Sequence, residues 1–220
     1  MVKAFTILRG LMAFLTSIPV KMDESFLDIS SRYMFLFPII GAIIGIIVGA
    51  YARFANNILF LLFGTLQNLV SFGSYNFIFD FLAKGLGAAM TIAFLFVVIG
   101  LQHTDGLVDV GNALGIKNAS LKDKVDIAHE WTVTRTGALL AILVSFLTFL
   151  FIFFIKTDIS IILSITLLGL GGLLAIISSI AVGGFMIYVG SQVFEGVNGD
   201  IFGATNEIAR MVALFVLVII

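Results

Sequence analysis

The sequence predicts an all-α, polytopic membrane protein with five firm transmembrane helices (seven at most) and short re-entrant or interfacial helices beside them. Three observations carry that expectation. Hydrophobic side chains make up 60% of the 220 residues and charged ones 11%, against about half and a quarter in soluble domains. Apolar runs of about 20 residues, the length a helix needs to cross a hydrocarbon core, recur along the chain. Hydrophilic residues gather instead in one stretch, Leu101–Thr136, which holds both histidines, the only tryptophan and nine charged side chains.

Taken in order, the firm runs are Tyr33–Ala52, Gly85–Leu101, Gly137–Ile155, Ile159–Val189 and Ala204–Ile220. Two further runs are ambiguous: Ala4–Val20 carries Arg9, and Ile58–Phe72 is short and interrupted by Gln67 and Asn68. The run from Ile159 is long enough for one tilted helix, or for a span followed by a bent piece. Gly169, Gly171, Gly172, Gly183 and Gly184 along it suit close helix packing. Pro19 and the charged Lys21–Glu24 stretch follow the first run without a small-residue cleavage site, so no cleaved secretory signal is expected there. The whole chain, 1–220, reads as a single integral membrane domain.

Charge orients these runs. With both ambiguous runs left uncrossed, Lys3, Arg9, Lys21, Arg32, Lys117, Lys122, Lys124 and Arg135 fall on one side, against Arg53, Lys84 and Lys156 on the other. That bias puts 102–136 in the cytoplasm by the positive-inside rule. The cell membrane is the expected location. A net charge of -1 leaves no basic field for nucleic acid. The absence of cysteine excludes disulfides, thiolate metal sites and iron–sulfur clusters.

A charge-rich connection is ordinarily a solvated loop, but the first half of this one is patterned. In Gln102-His103-Thr104-Asp105-Gly106-Leu107-Val108-Asp109-Val110-Gly111-Asn112, a helix would put Asp105, Asp109 and Asn112 on one face at i, i+4 and i+7. Two carboxylates so spaced repel each other unless a cation lies between them. With an amide oxygen they make a hard-oxygen ligand set for Mg²⁺ or Mn²⁺. His103 could act as a base or phosphate donor, or could simply hydrogen-bond at the helix end.

A second acidic cluster opens the last span: Glu195, Asn198, Asp200, Asn206 and Glu207, with glycines at 196, 199 and 203. An acid near or within a span costs about 2.5–3.5 kcal/mol unless paired or hydrated. Glu207 stands three residues before Arg210, so an ion pair is open to it. The glycines would let backbone approach a phosphate closely. If Ile159–Val189 crosses once, both clusters share one membrane face. The chemistry this suits is displacement at phosphorus, with metal neutralising a diphosphate.

These clusters, with Phe14-Leu15-Thr16-Ser17-Ile18-Pro19-Val20 near the start and Pro38-Ile39-Ile40-Gly41 after it, carry a resemblance. The chain resembles the cobalamin synthase (adenosylcobinamide-GDP ribazoletransferase) family. The family's central motif, His-x-Asp-Gly-x-x-Asp-x-x-Asp, is met at His103, Asp105, Gly106 and Asp109, and its Gly-Asp-x-x-Gly-Ala-x-x-Glu at Gly199, Asp200, Gly203, Ala204 and Glu207. Two departures stand out. Asn112 replaces the third acid, and the family's Lys-Asp-Ser-Arg-x-Gly element is reduced to Thr132-Val133-Thr134-Arg135-Thr136-Gly137.

The resemblance implies a magnesium-dependent membrane transferase. A free ribose hydroxyl of α-ribazole, or of its 5′-phosphate, attacks the cobinamide-linked phosphorus of adenosylcobinamide-GDP, and GMP leaves. On that reading Asp105, Asp109, Asp200 and Glu207 hold Mg²⁺, with Asn112 as an auxiliary ligand, and His103, Asp105, Asp109 and Arg135 act at the reacting centre. Asn112, Arg135, Asn198 and Asn206 would contact substrate, Arg135 meeting the diphosphate bidentately or else anchoring the foot of a span. The lipid bilayer is an implied partner, and a second copy of the chain or other enzymes of the cobalamin pathway are candidate ones. The competing expectations are a transferase of the CDP-alcohol type, whose signature fails after Asp105-Gly106, and an ion-coupled transporter, which the acids at span ends disfavour.

Overall fold

The computed structural model describes residues 2–17, 37–70, 76–116, 119–128, 132–155, 161–194 and 196–220. Ile18, Pro19 and Val20 of the first motif lie outside them, as do His129, Glu130, Trp131 and Glu195. All elements among the described residues are α-helices. Five are long and apolar enough to cross a membrane: Ile43–Leu69, Phe77–Ile99, Arg135–Phe154, Leu173–Val193 and Gly199–Ile219. The protein is a multi-pass membrane protein, and two units, Met1–Gly100 and Leu101–Ile220, divide the chain.

The first unit holds α1 (Val2–Leu15), α2 (Phe37–Val70) and α3 (Asn76–Ile99). At 14 residues, α1 rises about 21 Å and cannot cross a core of about 30 Å. It buries Leu11 and Leu15 with Ile40, Ile44, Leu95 and Ile99 and leaves Arg9 exposed. Behind it, Ser17 donates from its backbone N–H to the Val98 carbonyl at 2.8 Å, and its hydroxyl reaches the Val97 and Val98 carbonyls. It thereby caps the last turn of α3, where Gly100 adopts φ +73°.

The ambiguous run Ile58–Phe72 neither re-enters nor makes a span of its own. Through Val70 it continues α2, a single helix of 34 residues, about 51 Å long. Arg53 and Lys84, expected in a connection, therefore lie inside α2 and α3. Polar residues in α2 do not break it; the Asn56 side chain lies where a Cβ on Gly87 of α3 would stand, and Tyr51 stacks on Phe94.

The second unit holds α4 (Gln102–Leu114), α5 (Leu121–Ala128), α6 (Arg135–Phe154), α7 (Ile161–Val193) and α8 (Gly199–Ile219). The long run from Ile159 resolves as one unbroken helix, α7. Among the described residues, a Cβ on Gly183 or Gly184 would meet no atom within 4 Å. The close approach comes at Gly190, where a Cβ would lie 2.8 Å from the Gly196 carbonyl oxygen. Gly196, at φ +145°, makes the short return from α7 into α8. The core joins Leu107, Val110 and Ala113 of α4 to Val144 of α6, Met186, Val189 and Val193 of α7, and Ile201 and Ala204 of α8.

Only α4 and α5 in this unit are too polar and short to span. Ser120 and Asp123 cap α5 reciprocally, the Ser120 hydroxyl donating to Asp123 Oδ2 at 2.7 Å and the Asp123 N–H to Ser120 Oγ at 3.2 Å. Lys124 on α5 donates to the Gln192 carbonyl at 3.2 Å, placing a cation on the negative end of α7.

Candidate functional site

The site is built where two long helices begin against α4. Two glycines on α4 permit this. A Cβ on Gly106 would lie 2.6 Å from the carbonyl oxygen of Asp200 and 3.2 Å from the Ala204 nitrogen. A Cβ on Gly111 would lie 2.6 Å from Gly137 Cα and 2.9 Å from the Thr136 carbonyl oxygen. The start of α8 and the start of α6 thus rest on α4 five residues apart, about 7.5 Å along its axis. Both helices present their N-terminal ends, which carry positive partial charge.

Asp105 and Asp109 occupy the edge of α4 between these two starts. The helix expected over them is present. Asp105 is exposed and Asp109 half-buried. The two acidic clusters meet at one end of the helices, as a single crossing by α7 requires.

At the head of α8, Asn198 is the N-cap: its Oδ1 accepts from the Ile201 N–H at 3.0 Å. Its Nδ2 donates to Asp200 Oδ2 at 2.9 Å. One amide therefore both caps the helix and holds a carboxylate in its first turn. Asn206, further along α8, is half-buried.

The α4–α8 register runs antiparallel, because Gly106 meets Asp200 while a Cβ on Gly203 would lie 3.1 Å from His103 Cα. One turn beyond Gly203, Glu207 lies beside the first turn of α4. It is 3% exposed, and its Oε2 accepts from Arg210 at 2.9 Å. Among the described residues its Oε1 has no hydrogen-bond partner, nor has Nδ1 of His103, itself 8% exposed. Burial pushes the His103 imidazole below its ordinary pKa, with the Glu207 carboxylate opposing and the Arg210 guanidinium reinforcing that shift. His103 thus belongs to a buried cluster rather than to the exposed edge.

At the head of α6, Thr134 is the N-cap, its Oγ1 accepting from the Gly137 N–H at 3.2 Å. Arg135, the first residue of the helix, is exposed. A cation there opposes the helix dipole, so helix end and guanidinium would both welcome an anion.

Asn112, expected as an auxiliary ligand, has a fully buried side chain that is hydrogen-bonded to Thr132 and Thr134. From the sequence, Thr134 and Thr136 are expected only as the remnant of the arginine element and Lys124 only as part of the charge balance, with no bonding role for any of them. A threonine just ahead of an apolar run is an N-cap signal, but its partnership with Asn112 has no local signature.

Among the described residues no group of three or more histidine, aspartate and glutamate side chains converges as a ready metal cage. Mg²⁺, however, commonly keeps several waters and takes one or two carboxylates plus substrate phosphates. The all-oxygen donors Asp105, Asp109 and Asp200 suit that mode. Glu207 stands seven residues from Asp200, about 10 Å along α8, and is already ion-paired.

Comparison with known proteins shows the family to which the chain belongs. A family model described as cobalamin-5-phosphate synthase matches residues 7–169 and 152–218. Among individual proteins, the adenosylcobinamide-GDP ribazoletransferase of Methanococcoides burtonii is 23% identical, covering 96% of this chain and 91% of its own. The proteins of that name from Methanocella arvoryzae, 23% identical over 96% of this chain and 94% of its own, and from Thermoanaerobacter pseudethanolicus, 25% over 92% and 93%, are similar to a like degree. No solved structure matches. With the family model covering most of its length, the chain belongs to the cobalamin-5-phosphate synthase family.

Proposed function

We propose that the protein is a membrane adenosylcobinamide-GDP ribazoletransferase, and that its reaction takes place on the acidic edge of α4 between the starts of α6 and α8. A free ribose hydroxyl of α-ribazole, or of α-ribazole 5′-phosphate, attacks the cobinamide-linked phosphorus. A new P–O bond forms, the bond to the GMP phosphate breaks, and adenosylcobalamin or its 5′-phosphate is released with GMP. The observation that carries the reading is the convergence of two helix N-termini on a carboxylate-bearing helix, in a chain of this family. The family match favours neither the CDP-alcohol transferase nor the transporter.

Asp105, Asp109 and Asp200 would hold Mg²⁺, which when bound neutralises the diphosphate and stabilises charge on the leaving oxygens. Arg135 takes the diphosphate with its planar fork, aided by the positive end of α6. Asn198 fixes the Asp200 carboxylate. In a loose phosphoryl-transfer transition state the attacking hydroxyl needs little activation, and its proton passes to water at the exposed Asp105 edge. His103 and Glu207, out of solvent, hold α4 and α8 in register. The site faces the cytoplasm of the cell membrane, as the excess of basic residues on its side supports.

The test is turnover by purified protein in detergent or liposomes, given adenosylcobinamide-GDP, Mg²⁺ and either α-ribazole or its phosphate. GMP and the cobalamin product should form together, and both should vanish with chelator and in Asp105→Ala. Folded protein that turns over neither acceptor, yet moves a substrate into sealed vesicles, would overturn the assignment in favour of a transporter.

A further inference from the structure

Asn112 stands at the third position of the acidic run, but every hydrogen-bonding bond it makes points to the segment before α6. Its Nδ2 donates to the Thr132 carbonyl at 2.9 Å. Its Oδ1 accepts from the Thr134 N–H at 3.0 Å and the Thr134 hydroxyl at 2.7 Å. With that single hydroxyl hydrogen committed, Thr134 Oγ1 can only accept from its other neighbours. They are the Gly137 N–H at 3.2 Å and Thr136 Oγ1 at 3.0 Å, so the Thr136 hydroxyl is the donor. Below this chain of bonds, Gly137 lies directly against the Asn112 amide oxygen. Residues 132 and 134 are bonded to the Asn112 side chain directly, and 136 and 137 are joined to it through Thr134. Arg135, flanked on both sides by anchored residues, is left with its guanidinium exposed.

We infer that Asn112 is a positioning residue for Arg135: it clamps the strap Thr132–Thr134 and the first turn of α6 onto α4, so that the guanidinium stands beside the Asp105–Asp109 edge. The inference rests on the reading in which Arg135 takes the diphosphate. It also gives the amide a use in this chain, at the position where the family's motif carries an acid. A carboxylate could accept both bonds from Thr134, but it has no hydrogen for the Thr132 carbonyl, and two oxygens would face each other in a buried site.

Asn112→Asp, equal in volume, is therefore the discriminating variant, with Asn112→Ala beside it. The probe is GDP with Mg²⁺, its affinity for the full-length protein measured by equilibrium binding, with thermal unfolding as a folding control. Steady-state anisotropy of Trp131, the sole tryptophan and the residue bonded to Thr132, gives a readout independent of activity. Arg135→Ala should weaken GDP binding about tenfold, as loss of a charge-assisted contact does. Asn112→Asp should weaken it to a similar degree and lower the Trp131 anisotropy. Combined with Arg135→Ala, it should cost no more than about a further twofold.

If Asn112→Asp binds GDP as wild type does while Arg135→Ala does not, the clamp is wrong. Losses that multiply in the double variant would also overturn it, since Asn112 would then act elsewhere. If Arg135→Ala itself leaves binding unchanged, the diphosphate role of Arg135 fails instead, and the Trp131 anisotropy still reports on the strap.

Discussion

Gly106 meets the backbone of Asp200 so closely that a methyl group added to it would lie 2.6 Å from the Asp200 carbonyl oxygen and 3.1 Å from its Cα. That contact joins the two acidic clusters. It holds the first turn of α8 to the helix that carries Asp105 and Asp109, and what opposes the missing side chain is backbone, which cannot rotate aside.

Gly106→Ala should therefore part α4 from α8. We expect a loss of about 1–3 kcal/mol of stability and at least a tenfold fall in turnover. Gly203→Ala, whose Cβ would lie 3.1 Å from His103 Cα, should cost less. Gly183→Ala, with nothing within 4 Å, should be neutral or slightly stabilising, alanine being the better helix former. Thermal unfolding in detergent ranks the three, and a Gly106→Ala protein as stable and active as wild type would remove the crossing from the site.

Asn198 does two things that one substitution can separate. Serine at 198 still caps a helix about as well as asparagine, but offers no amide to Asp200 Oδ2. Asn198→Ser should unfold within about 0.5 kcal/mol of wild type while needing more Mg²⁺ for half-maximal turnover. Asn198→Ala, losing the cap as well, should be destabilised by about 1 kcal/mol. A Mg²⁺ titration of Asn198→Ser that overlays wild type would show that Asp200 does not depend on the amide.

The spans and the acids were legible in the sequence because each has a local signature. A run of about 20 apolar residues announces a crossing, and Asp-Gly-x-x-Asp announces a carboxylate edge whatever surrounds it. The helix ends were less legible. Gln67 and Asn68 look like an interruption, but they ride on the last turns of one unbroken helix, and Arg53 lies inside the same helix. Least legible was Asn112. Its partners are 20 and 22 residues away, and spacing along a helix cannot tell an amide facing solvent from one facing a distant strap. The close approaches of Gly106 and Gly111 are hidden likewise, since they depend on which helix arrives.

His103 makes stability depend on pH. Its pKa is lowered in the fold, chiefly by burial, so the folded state keeps the imidazole neutral, whereas the unfolded chain takes up a proton near pH 6.5. The unfolded state thus binds more protons, and stability rises with pH in this window. The contribution is complete above about pH 6.5 and is lost as pH falls from there toward the folded value. Thermal unfolding between about pH 8 and 5.5 should show wild type losing stability on acidification more steeply than His103→Gln. Parallel slopes for the two proteins would mean that His103 is not held neutral by the fold.

Glu207 can serve as a metal ligand or as the partner of Arg210, and the two roles part in one variant. In the structure its Oε2 is bonded to Arg210 and the residue is 3% exposed, so removing it strands a guanidinium. Breaking a fully buried pair costs about 3–5 kcal/mol. Arg210 keeps a quarter of its side chain exposed and recovers part of that by reaching polar surroundings, which leaves a loss on the order of 2 kcal/mol. Glu207→Gln retains an acceptor for Arg210 and should lose less than Glu207→Ala. Neither should change the Mg²⁺ concentration for half-maximal turnover, because in the proposed site the ion would be held by Asp105, Asp109 and Asp200, the last about 10 Å away along α8. Asp200→Asn should do the opposite, shifting the Mg²⁺ requirement with little effect on unfolding. A Glu207→Gln protein of normal stability that demands more Mg²⁺ would return Glu207 to the metal and extend the site further along α8.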